Sequence, residues 1–264
     1  MSDVSSRSAA DAFPTALATI DDVIAQLDLI IDTARRRGSA DGYFAALYRR
    51  VTATVKARIV QGAFADGPRM ARFDCAFARR YIDAWSQHER GEKPTSAWSM
   101  ALSCGTSFWP VVMQHLLLGM NAHINLDLGI VAAEVAPGAA IQDLKSDFDA
   151  INQLLSDLVD DVQDRMGRIW PGVRLLDKVG GGLDERIVNF SLGRARDAAW
   201  SVATKLAAEP VAERRAVYIG GVDEFATSLG RGVLRPGFWA ANTLALVRLR
   251  ERGSLTEKLD VLLK

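Results

Sequence analysis

The sequence predicts an all-α fold, a single-domain bundle of roughly eight to ten helices around a central buried apolar helix. Three observations predict it. Apolar residues recur at intervals of three and four along nearly the whole chain, and nothing alternates with period two for long enough to build a sheet. The stretch from Phe108 to Leu126 holds no Asp, Glu, Lys or Arg, which suits a helix that the others surround. At 264 residues the chain buries most of its unfolded surface and needs neither disulfide nor metal merely to fold.

The elements follow in order. Residues 1–14 read as a flexible polar tail carrying Asp3 and Asp11, without the apolar run of a secretory signal, and residues 15–264 read as one domain. Ile20, Val23, Ile24, Leu27, Ile30 and Ile31 define the first helix, with Thr19 before it and Gly38 as a stop after three arginines. Phe44, Leu47, Tyr48, Val51, Val55 and Ile59 define the second, which ends near Gly62. Pro68 opens a third helix through Met70, Phe73, Phe77 and Tyr81, closed by Gly91.

Ser107 and Pro110 fit an N-cap and first turn for the apolar helix, and Pro137-Gly138 breaks it. That helix is about long enough to cross a bilayer. Gln114, His115, Asn121, His123 and Asn125 would be too costly in lipid, so no integral membrane segment is expected. A stripe from Ile141 through Leu144, Phe148, Ile151 and Leu155 to Val162 gives the next helix. Gly and Pro concentrate at 167–182, which reads as a surface loop ending in a triple-glycine linker. A helix from Asp184 to about Ala208 and shorter ones at 210–230 and 238–252 complete the chain.

Charge and motifs exclude several function classes. Lys plus Arg equals Asp plus Glu at 32 each, so no global field draws the chain to nucleic acid or to an anionic membrane, although a local patch remains compatible with this balance. Cys75 and Cys104 cannot build a disulfide framework or a Cys-rich zinc site, and they read as small buried hydrophobes in a cytoplasmic protein. There is no Gly-x-Ser-x-Gly, Rossmann or Walker sequence.

The polar residues of the apolar helix are the candidates for chemistry. His123 and Asp127 stand at i and i+4 and share a face. A charged Asp127 between Leu126 and Leu128 needs a partner, water or a ligand. Nitrogen-plus-carboxylate ligation suits zinc, iron or manganese. His115 lies roughly 12 Å up a straight axis, and joins the metal site only if the helix bends near Gly119 or two ions bind. Asp147, beside the buried stripe of the next helix, could turn inward as a further carboxylate, or serve as a charge at that helix's N-terminus. Asn152 follows it as a neutral contact. Arg186, Asn189, Arg196 and Trp200 share one face of a later helix, where Arg196 can stack on Trp200, neutralise a carboxylate or clamp a substrate. Trp109 and other tryptophans could line an apolar pocket.

Several runs resemble one bacterial and fungal family known only as a domain of unknown function. They are Tyr43-Phe44-x3-Tyr48-x2-Val51-Thr52, Phe73-x3-Phe77-Ala78-Arg79-Arg80-Tyr81 and LLLGMNAHINLDL at 116–128. Asp147-Phe148-x3-Asn152 and Arg196-x3-Trp200 resemble its later blocks. The resemblance spans about 40 to 250, implies one domain, centres attention on Asn121, His123, Asn125 and Asp127, and implies no activity.

The expectation is a cytoplasmic enzyme acting on a small, largely apolar molecule, with His123, Asp127, Asn121 and Arg196 as catalytic candidates. Trp109, Asn125, Asn152, Asn189 and Trp200 are its substrate contacts. In one version His115, His123, Asp127 and Asp147 hold a divalent metal (zinc, iron or manganese) for hydrolysis or oxidation. In a second, His123 is a metal-free acid or base oriented by Asp127, for a cyclisation or isomerisation. In a third, the protein binds a hydrophobic ligand without catalysis and the His–Asp pair is architecture.

Overall fold

The computed structural model describes residues 17–151 and 192–264. Local chemistry sets the first helices. The Thr19 hydroxyl accepts a hydrogen bond from the Asp22 N–H at 3.2 Å, and the Asp22 carboxylate accepts one from the Thr19 N–H at 2.9 Å. This box opens α1 (Ile20–Arg37), which Gly38 ends in a left-handed conformation at φ 66°. Val23, Leu27, Ile30 and Ala34 give α1 one buried face. Against it lies α2 (Gly42–Val60), approaching so closely that a Cβ on Gly42 would stand 2.5 Å from that of Ala34. Asp66 caps α3 (Gly67–Glu89) through the Arg69 N–H, with Pro68 in the first turn.

The next helix, α4 (Ser96–Ser103), has no counterpart in the periodicity of the sequence. Its free N–H groups at Ser96 and Ala97 donate to the Asp223 carboxylate at 2.8 and 2.9 Å, a cap supplied from far along the chain. The apolar helix then runs as one rod: α5 (Val112–Asn121), a π-helical turn (Ala122–Asp127) and α6 (Leu128–Val135). It starts later than Ser107 and Pro110 suggest. The Val111 N–H donates to the Gln114 side chain and the Val112 N–H to Glu251, so these two side chains replace the expected cap. The rod is long and apolar enough to cross a membrane, yet 94% of its most apolar window is buried inside the protein.

A 3-10 turn (Gly138–Ala140) leads into α7 over residues 141–151. The described chain resumes with α8 (Leu192–Ala208), α9 (Ala212–Leu234), α10 (Phe238–Arg250) and α11 (Leu255–Leu263). At 23 residues α9 is longer than the sequence suggests, and α11, opened by a Ser254–Glu257 box, was not anticipated. No strand occurs among the described residues, and the chain is an all-α single domain. The expected tail at 1–14, the 167–182 loop, Asn152, Arg186 and Asn189 lie outside the described residues.

The rod is the axis of the packing. α2 and α4 pack on its first half, α3 and α8 on its second, and α9 on the π-turn. Leu27, Phe44, Trp85, Trp98, Leu116 and Leu126 belong to the larger core. A second core joins Phe73, Leu128, Val131, Leu144, Phe148 and Ala199. Each such large side chain, fully buried, contributes on the order of 1.5–3 kcal/mol.

Candidate functional site

The π-turn places the two residues that drew attention. The Leu128 N–H donates to the His123 carbonyl five residues back, the wide bonding that defines such a turn and that recurs at functional sites. His123 Nδ1 lies 3.6 Å from Asp127 Oδ2, in contact range but beyond a hydrogen bond. Both residues are sealed: His123 is 3% exposed and Asp127 0%. The carboxylate is fully used, Oδ1 accepting from Arg80 Nε at 2.9 Å and Oδ2 from Trp98 Nε1 at 2.7 Å. The imidazole lies flat against Phe77 at 3.5 Å between ring centres, with the Tyr48 ring edge-on at 4.5 Å. Phe44, Tyr81 and Trp98 close the shell. Burial pushes the His123 pKa down against the pull of Asp127, so the ring is held neutral.

The other candidates disperse. Asn121 donates to the Ala226 carbonyl at 2.7 Å and accepts from Asn125 at 2.9 Å, so this pair ties the rod to α9. Asp147 accepts from the Ala65 and Asp66 N–H groups and from Arg69, at 2.6, 3.1 and 2.8 Å. It anchors the turn between α2 and α3 and does not join the rod's histidines. The four-residue ligand set of His115, His123, Asp127 and Asp147 is therefore not assembled, and no three His, Cys, Asp or Glu side chains converge among the described residues. Arg196 stacks over Phe148 at 4.4 Å and donates to the Phe148 carbonyl at 2.7 Å. Trp200 also packs on Phe148, at 4.9 Å, so both belong to the second core rather than to the His123 shell. Trp109 is 63% exposed and does not line the cavity that opens beside His115. Cys75 is buried as expected and Cys104 half-buried.

His115 lies elsewhere along the rod, and a cavity opens beside it. Asp41, Phe44, Tyr81, Trp98, His115 and Gly119 are among the residues that line it. The enclosed space is about 10 Å³, near the size of one water, within a recess of about 250 Å³ that includes open solvent. Three of these residues bring a buried polar atom that has no hydrogen-bond partner: Asp41 Oδ1, Tyr81 Oη and His115 Nδ1. Asp41 belongs to the turn between α1 and α2, clasped by the Ala40 N–H donating to the Gly105 carbonyl at 2.8 Å. Burial raises the Asp41 carboxyl above the usual carboxylate range, the Ser39 hydroxyl opposing it. Burial, with Arg248 adding to it and the Pro110 carbonyl opposing, lowers His115 to about 4. Burial likewise raises the Tyr81 hydroxyl.

Sequence reasoning did not single out Asp41, Tyr81 or Arg80. Asp41 sits in the short Gly38–Gly42 turn, the one local signal that was available. Asp74 was missed as well. It is buried on α3, one carboxylate oxygen has no partner, and burial raises its pKa to about 7.

Fold and site together define an all-α protein built on a buried rod, with a buried His–Asp pair held by Arg80 at a π-turn and a water-sized cavity beside His115. The chain belongs to DUF5995, a family of unknown function, whose family model matches residues 20–236. No curated protein and no solved structure matches it.

Proposed function

We propose that this protein is an enzyme that performs metal-free acid–base chemistry, of the isomerase kind, on a small and largely apolar molecule that sits in the open recess and reaches the water-sized cavity with its reacting group. Its reacting groups are Asp41, Tyr81 and His115, and the His123–Asp127 pair with Arg80 is the rigid frame behind them. One observation carries this reading. Three titratable side chains, each with a buried polar atom left without a partner, line a single cavity. Orphaned buried polar groups are rare because each costs roughly 1–3 kcal/mol, and they gather where a ligand supplies the missing bond.

Roles follow from the protonation states. Asp41, its pKa raised, is the group suited to taking up a proton and giving it back. His115, near pKa 4, is neutral at pH 7; with its one N–H drawn to the Pro110 carbonyl, Nδ1 is an acceptor, and the neutral Tyr81 hydroxyl is the donor suited to a developing oxyanion. Trp98 joins this wall to the frame, since it lines the cavity and donates to Asp127. Metal-assisted versions find less support, because both Asp127 oxygens are engaged and a guanidinium stands beside them. Chelator treatment should accordingly leave the melting temperature unchanged.

Diethyl pyrocarbonate, which acylates neutral imidazoles that reagents can reach, tests the reading on the full chain by mass spectrometry. His115 should react in the folded protein while His123 stays protected. Asp41→Asn should abolish exchange of the α-hydrogens of a small cyclic ketone in heavy water while leaving the melting temperature within a few degrees. Protection of His115 equal to that of His123 would mean a closed interior and would overturn the proposal.

A further inference from the structure

α10 carries apolar side chains on two faces, one packed and one exposed among the described residues. Leu244 and Val247 face inward, packed with Val111 and Met113. On the outer side Phe238, Leu246 and Leu249, spaced eight and three apart, fall near one helical stripe, and each is more than half exposed. The neighbouring loop adds Phe108 and Trp109, also more than half exposed. Arg248 joins the two segments, its guanidinium 4.6 Å from the Phe108 ring centre.

The exposed charges along the segments that carry this stripe are cations. From Phe225 to Arg250 the sequence has Arg231, Arg235, Arg248 and Arg250 and no acid, and from Pro94 to Leu126 it has no charged residue at all. Arg252 follows, and the intervening Glu251 is buried between Arg248 and Lys258. Arg231, Arg235, Arg250 and Arg252 are exposed. A chain with balanced charge overall therefore concentrates cations around an exposed apolar stripe.

We propose that α10 and the Phe108–Trp109 loop form an interfacial docking surface that adsorbs to anionic lipid bilayers without spanning them. Leucine and aromatic side chains enter the boundary between headgroups and acyl chains, while the arginines reach the anionic headgroups. A second copy fits this face poorly, because a two-fold contact would set arginines against arginines. A nucleic acid would stack on the exposed aromatic rings but leave Leu246 and Leu249 without an apolar partner. The proposal is independent of the Asp41 cavity.

The test is sedimentation of the full chain with vesicles of phosphatidylcholine alone or with about one third phosphatidylglycerol. Binding is expected to the anionic vesicles, weaker by at least about tenfold to the neutral ones, and to fall with added salt. The pair Leu246→Glu and Leu249→Glu and the pair Arg250→Glu and Arg252→Glu should each weaken it by at least about tenfold, with melting curves unchanged. Three results would overturn the proposal: no sedimentation with either vesicle, binding indifferent to both pairs of substitutions, or a solution dimer that Leu246→Glu and Leu249→Glu dissolve.

Discussion

Two buried aspartates, Asp127 and Asp74, meet opposite fates within one core. Asp127 has a guanidinium on one oxygen and an indole N–H on the other. Asp74 is equally buried, but one of its oxygens lacks a partner, and burial holds its pKa near 7. An acid whose pKa is raised by folding favours the folded state most when protonated. Its contribution is complete below the unfolded value near 4 and is lost as pH climbs to about 7. Asp74→Asn should therefore be neutral at pH 3.5 and increasingly stabilising up to pH 7, reaching as much as about 4 kcal/mol before relaxation or water entry reduces it. Urea unfolding of both proteins across that range checks it, and a gain independent of pH would exclude protonation as the cause. The contrast also explains what the sequence could reveal of the site. His123 and Asp127 are helical neighbours, so their pairing is legible from spacing alone. Arg80 and Trp98 reach Asp127 from 47 and 29 residues away, and only packing brings them there.

Among the elements, the rod depends on what its glycines leave out. A Cβ on Gly119 would stand 2.4 Å from Phe44 Cγ, and one on Gly129 would stand 2.7 Å from the Ala199 carbonyl oxygen. Phe44 cannot easily move, since its ring meets Tyr81 at 4.9 Å and Trp98 at 5.7 Å. Gly119→Ala gains about 1 kcal/mol in helix propensity but incurs overpacking of about 1–3 kcal/mol or more. Net destabilisation is expected in urea unfolding, partly relieved when Phe44→Leu is added; a Gly119→Ala protein as stable as the parent would contradict the tight fit. Helices whose ends carry their own signals were legible: Thr19 and Gly38 bracket α1, and Pro68 opens α3. α4 was not, because eight residues show little periodicity and its cap comes from Asp223. α11 does carry a local signal in Ser254 and Glu257, but its short length hid it.

Across the whole molecule, one carboxylate joins the C-terminal helices to the rod. Glu251 caps α5 through the Val112 N–H at 2.8 Å and pairs with Arg248 at 2.8 Å and Lys258 at 3.1 Å. The outward face of α10 is thus fixed to the helix that carries His115, and Arg248 and Lys258 both help to lower the His115 pKa. The proposed docking surface and the cavity thus share one carboxylate's contacts. Glu251→Gln removes the one carboxylate paired with Lys258 among the described residues; the lysine side chain is 7% exposed, and its buried ammonium loses that counter-ion. Breaking a buried pair from one side costs about 3–5 kcal/mol, and the loss should show as a lower urea midpoint with early proteolysis of α10 and α11. Replacing both partners, Glu251→Leu with Lys258→Leu, removes the stranded charge and should recover part of that loss, whereas simple additivity of the two single substitutions would mean that the pair is not coupled.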